Sequence, residues 1–188
     1  MTEPRVSSTA PAEFSRAVAS LQHVRLRPEV VVEPMRAPRR LAPWTHAVSA
    51  EVIAENETIA TGRMVLLGDP DSAEAWDGTL RLVTYSSTEL DPEMGRDPLL
   101  AQVGWSWLIE SLNQFGAAYT AAGGTVTQTS SARFGDLAGP AQTLEVELRA
   151  SWTPLGEDLR PHLEAWADVL CTAAGLPPVG VSPLRGRP

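Results

Sequence analysis

From Thr143 to Trp152 the chain alternates with a period of two. Leu144, Val146, Leu148, Ala150 and Trp152 interleave with Thr143, Glu145, Glu147, Arg149 and Ser151, which predicts a strand with one face in the core and one in water. A helical period follows: Leu159, Leu163, Trp166, Val169, Leu170 and Ala173 predict a helix over 157–174, closed by Gly175 and Pro177. Near the start, Phe14, Ala17, Val18 and Leu21 follow Pro11 at helical spacing and predict a helix over 11–23. Between these ends, Val30-Val31-Val32 predicts an edge strand over 29–33, confined by Pro28 and Pro34. A Pro- and Arg-rich loop covers 35–43, and strands are expected over 45–54, 59–67 and 79–86. Glu55-Asn56-Glu57 supplies a hairpin turn and 68–78 a longer loop. Asp97-Pro98 opens a central helix whose apolar positions are Leu100, Val103, Trp107, Leu108, Leu112 and Phe115. Those positions spread past a half-turn, so this helix is expected to be the most buried. Gly123-Gly124 reads as a break before a Thr- and Ser-rich strand over 125–134.

The order is therefore helix, three or four strands, helix, two strands, helix. Arg63, Arg81, Glu51, Glu145, Glu147 and Arg149 alternate with apolar neighbours, so the sheet has one polar face and the helices cover the other. The fold class expected is an α+β two-layer sandwich: a mainly antiparallel sheet of five to six strands with three helices on one face. A single domain over 11–177 lies between a flexible N-terminus, 1–10, and a flexible tail, 178–188.

Several stretches resemble a known family: Leu26-Arg27-Pro28-Glu29-Val30, AWDGTLRLVTY from Ala75, DPLLAQVGWSWL from Asp97, AYTAAGGTVT from Ala118, RASWTPL from Arg149 and LCTAAGLPP from Leu170. They are similar to an actinobacterial family catalogued as a domain of unknown function, over essentially the whole chain. That resemblance carries over no activity, cofactor or catalytic residue. The element order is also similar to that of type III secretion chaperones and YbjN-like proteins, small α+β binding modules without catalysis, although no motif is shared.

Composition narrows the chemistry. All fifteen basic residues are Arg, so the phosphate-binding Lys of a P-loop, the strand Lys of a kinase and a Schiff-base amine are all missing. A net charge of -8 argues against nucleic acid and anionic membranes as partners. The single Cys171 excludes intramolecular disulfides and points to a reducing compartment; with no leader pattern at the N-terminus, the expected location is the cytoplasm.

No catalytic constellation is found, and no metal or cofactor is expected. The carboxylates between Asp69 and Asp97 break the spacing of a calcium loop at Ala73, and His23, His46 and His162 share no ligand spacing. His162 faces the packing side of its helix; His46 could act in acid/base chemistry only beside a carboxylate. Cys171 reads as an inert buried thiol.

Six tryptophans remain. Trp107, Trp152 and Trp166 fall on core positions, whereas Trp44 and Trp76 lie in loops and Trp105 on a helix flank. The expected function is a non-enzymatic protein-binding or adaptor module, with Trp44, Trp76, Asp77, Arg81 and Trp105 as binding residues and a protein or a second copy as partner. For Trp76, packing at a core edge is favoured over an anchor role. The alternative is a small-molecule binder or enzyme on the polar sheet face, where Arg63, Arg81, Glu145, Glu147 and Arg149 could converge.

Overall fold

The computed structural model describes residues 10–38, 40–137, 139 and 142–179. Of the two termini expected to be flexible, residues 1–9 and 180–188 lie outside these. The elements run α1 (Ala12–Ser20), β1 (Val30–Met35), β2 (Trp44–Ala54), β3 (Glu57–Gly68), α2 (Ala73–Trp76), β4 (Leu80–Leu90), α3 (Leu100–Gln114), β5 (Tyr119–Ser131), β6 (Thr143–Pro154) and α4 (Arg160–Ala173). The six strands form one antiparallel sheet in the order β1-β2-β3-β4-β6-β5. This is the α+β sandwich expected. The β2–β3 hairpin turns through Glu55 and Asn56, whose φ values of 53° and 65° are those of a tight hairpin turn.

Cross-strand register sorts the side chains. Val48, Ala50 and Val52 of β2, Met64 and Leu66 of β3, Leu80 and Leu82 of β4, and Leu148, Ala150 and Trp152 of β6 point into the main core with Phe14, Leu108, Leu112, Leu163, Trp166 and Leu170 of the helices. Gly62 lets α4 approach the sheet closely: a Cβ there would sit 2.6 Å from Cζ2 of Trp166. The inward face of β4 also buries Thr84, Ser86 and Thr88. Their hydroxyls are satisfied, because Thr84 donates to Ala150 O, Thr88 donates to Ile59 O, and Ser86 accepts from Trp166 Nε1 at 3.1 Å.

The most buried helix is α4, which corrects the expectation for α3. Nine residues of α4 are buried against five of α3, because α4 lies over β2, β3 and β4 at the middle of the sheet whereas α3 lies toward the β5 edge. An apolar stripe has to be covered by something, and at the edge less is on offer. Val103 is accordingly 40% exposed, and Trp107 is half-buried in a satellite cluster with Leu100, Leu144 and Val146. Two boundaries also move. β5 begins at Tyr119 and ends at Ser131, so Gly123-Gly124 lies inside it and Phe134 beyond it. The expected 68–78 loop contains a 3-10 turn over Pro70–Ser72 and the short α2.

α1 and α4 are tied end to end. The Ser20 hydroxyl accepts from Leu159 N–H at 2.8 Å, capping the start of α4 from another helix, and Arg16 forms an ion pair with Glu157.

Candidate functional site

The face of the sheet away from α1, α3 and α4 divides into two halves. At one end Ala47, Val65 and Leu67 form a small buried cluster, and Met35, Ala37, Ala42, Val83 and Trp76 pack around it. Here the expected all-polar face is corrected: Met35 at the end of β1, Ala37, Ala42 and Trp76 of α2 cover this end and leave an apolar patch. Trp76 is half-buried over the cluster, the core-edge position favoured for it. α2 ends at Asp77, whose left-handed φ of 58° turns the chain into β4. The Asp77 carboxylate accepts from the Thr120 hydroxyl of β5 at 2.7 Å.

The other half is polar and largely paired. Tyr85 donates to Glu147 Oε1 at 2.8 Å, Arg149 reaches Glu147 Oε2 at 2.7 Å and lies 5.6 Å over the Tyr85 ring, and Ser87 donates to Glu145 at 2.6 Å. Burial, followed by the bond to Glu147, raises the Tyr85 pKa. These contacts answer the charges of Glu145, Glu147 and Arg149 within the fold.

Arg81 is different. It sits between the halves, half-buried, and its guanidinium donates to Ser151 Oγ at 2.8 Å and Thr153 Oγ1 at 3.1 Å. Thr153 in turn donates to the carbonyl of Trp76, so Trp76, Asp77 and Arg81 belong to one corner. Among the described residues no carboxylate lies within ion-pair distance of Arg81, and burial lowers its pKa from the ordinary guanidinium value. Among the described arginines it alone combines half-burial with no acidic partner; Arg27, also half-buried, is paired with Glu29, and Arg63 is exposed.

Trp44 and Trp105 lie apart from this corner. Both are half-buried on the helix side, Trp44 at the start of β2 and Trp105 over Gly124 of β5, where a Cβ would meet its Cζ3 at 2.8 Å. Sequence reasoning therefore named three residues that the fold brings together and two that it does not. It missed Ser151 and Thr153, the hydroxyls that hold Arg81; the alternation of β6 continued past Trp152 would have found Thr153 on the same face.

The remaining titratable candidates have structural roles. His162 is 2% exposed and accepts from Trp152 Nε1 at 3.0 Å through Nδ1, and burial drives its pKa down to about 4. Among the described residues His46 has no carboxylate in an ion pair with it, and burial lowers its pKa. Cys171 is buried, and its thiol pKa is pushed up to about 11. Among the described residues no group of three His, Cys, Asp or Glu side chains could hold a metal ion, and no helix is long and apolar enough to cross a membrane.

Cavities of about 310, 280 and 250 Å³ occur between α3, α4 and the 25–27 segment, beside Glu89, Glu145 and Arg133, and beside Arg96 and Gln128. They fall at or below the small end of ligand sites, roughly 300 to 1,000 Å³. None of the three is lined by Arg81 or Trp76.

The chain belongs to the family described as Protein of unknown function (DUF3000), whose model matches residues 10–182. No curated protein and no solved structure matches it.

Proposed function

We propose that this protein is a non-enzymatic binding module whose open sheet face receives an acidic segment of a protein partner. The observation that carries the reading is the half-buried Arg81 guanidinium, partnered by two hydroxyls and no carboxylate, beside the Trp76, Val65 and Val83 patch. A partly desolvated cation next to apolar surface suits a carboxylate delivered by another chain, since the charge-assisted pair replaces weaker bonds while the patch is covered. Exposed Arg63, on the far side of Val65, offers a second cation to the same segment. The setting within this reading is the cytoplasm of an actinobacterium, supported by the lone buried Cys171 and by Arg at every basic position.

The test is affinity capture from the native host with the wild type and with Arg81→Gln. A protein held in a salt-sensitive manner by the wild type and released by Arg81→Gln, with both forms melting alike, is the expected result. Equal capture by both, or a stoichiometric metabolite in place of a protein, refutes the reading; the metabolite would favour the small-molecule alternative.

A further inference from the structure

The two edges of the sheet are built differently. β1 has six residues, with Glu33 and Pro34 among them, and so carries the short length, charge and proline that discourage pairing with another chain. β5 has thirteen residues, Tyr119 to Ser131, and none is charged or proline. Its one irregularity is a bulge between Thr120 and Gly123, where Ala121 adopts a φ of 49°. From Gly123 to Ser131 the register against β6 is unbroken, and apart from half-buried Val126 every residue there is exposed. Among the described residues no strand pairs with the outer side of this segment. Nine residues of regular strand therefore present a row of open backbone donors and acceptors.

We infer that β5 pairs antiparallel with β5 of a second copy of this chain about a twofold axis at Thr127. The strand is complementary to itself in that register. Thr127 faces its own copy, Thr125 faces Thr129, Val126 faces Gln128, Gly124 faces Ser130 and Gly123 faces Ser131. Hydroxyl meets hydroxyl on the open face, and no like charges stand opposite each other, the arrangement that cross-strand pairing rewards. The charged residues of β6, Glu145, Glu147 and Arg149, remain one strand behind on each copy. A twofold pairing makes one patch serve both partners and closes the assembly at two, joining the two sheets into one of twelve strands. The remaining edges are then the two guarded β1 strands.

The test is sedimentation of the purified chain over a dilution series, with Thr127→Lys and Thr127→Cys. T127K sets like charges face to face at the axis, while Glu147 opposite it on β6 gives the ammonium a partner within its own chain, so the fold is kept. The wild type should be a dimer that dissociates on dilution, and T127K a monomer with an unchanged melting point. T127C should form an intermolecular disulfide under mild oxidation and T125C should not, because only residue 127 meets itself; Cys171 is buried and does not compete. A wild type that is monomeric throughout, a dimer indifferent to T127K, or equal cross-linking at 125 and 127 overturns the inference. The binding reading of Arg81 concerns the open face and is unaffected by any of these outcomes.

Discussion

Lowering the pH should destabilise this protein through a single buried imidazole. His162 accepts the indole N–H of Trp152 at 3.0 Å, and both rings are buried, so its Nδ1 has to be unprotonated in the native state. Its pKa of about 4 lies below the 6.5 of a free imidazole because burial opposes the charge; the carboxylate of Asp158 offsets only part of that. Between these two values the unfolded chain carries the proton and the native chain does not. Stability from this group is thus complete above pH 6.5 and is lost as the pH falls toward 4. At about 1.4 kcal/mol per unit, the loss is roughly 2 kcal/mol by pH 5 and about 3 kcal/mol once the native group is protonated. Against a total stability on the order of 5 to 15 kcal/mol, that is a large share. Urea unfolding of the wild type and His162→Asn from pH 7.5 to 4.5 measures it, since Asn keeps an acceptor for the indole and does not titrate in this range. Carboxylates held low by ion pairs, Glu29 and Glu157, also lose stability on acidification, but equally in both forms. The two curves should converge by about 2 kcal/mol between pH 7 and 5. Parallel curves would refute the assignment of His162 as the neutral acceptor.

Trp152→Ala should cost about 3 to 5 kcal/mol, because it empties a fully buried site and strands the His162 acceptor; a melting point equal to that of the wild type would contradict the packing described. Trp76→Ala should cost about 1 kcal/mol, less than a fully buried aromatic, since its ring covers Leu67, Val65 and Ala47 on one side only. Denaturant midpoints report this directly, and a variant as stable as the wild type would show that the ring does not cover the patch. Cys171 should resist a thiol reagent in the folded protein and react on unfolding; rapid native-state labelling would show that its site is open.

The features read correctly are those decided within one strand or helix. The alternation of β6 set its faces without knowledge of its neighbours, and the turn at Glu55 and Asn56 was legible from residue type. What failed depended on strand order. α3 has the broader apolar arc, yet α4 is more buried because it occupies the middle of the sheet, and no periodicity within either helix records that position. The strand expected over 79–86 runs on to Leu90 as β4, and Ser86 and Thr88 are buried in it because Trp166 and the carbonyl of Ile59 satisfy their hydroxyls. Gly123-Gly124 reads as a break in the sequence, yet β5 runs through both from Tyr119. A Cβ at Gly124 would collide with the Arg149 carbonyl oxygen and sit 2.8 Å from the Trp105 ring, constraints set by the neighbouring β6 and by α3.

The candidate site follows the same division. Alternation places Arg63, Arg81, Glu145, Glu147 and Arg149 on one face, but it does not say which charges meet. That is decided by β6 lying beside β4 and by the register between them, which sets Tyr85 opposite Arg149 and Ser87 opposite Glu147. Moving along β4 toward its start carries the pairing from charged residues of β6 to Ser151 and Thr153, so Arg81 meets hydroxyls where its neighbours meet carboxylates. A carboxylate at either hydroxyl position would have neutralised Arg81 inside the fold and left this end of the sheet electrically quiet. With hydroxyls there, the guanidinium is held in place and no carboxylate of the described residues neutralises it. The same strand order that hides the pairing from the sequence is thus what sets Arg81 apart from the paired charges of this face.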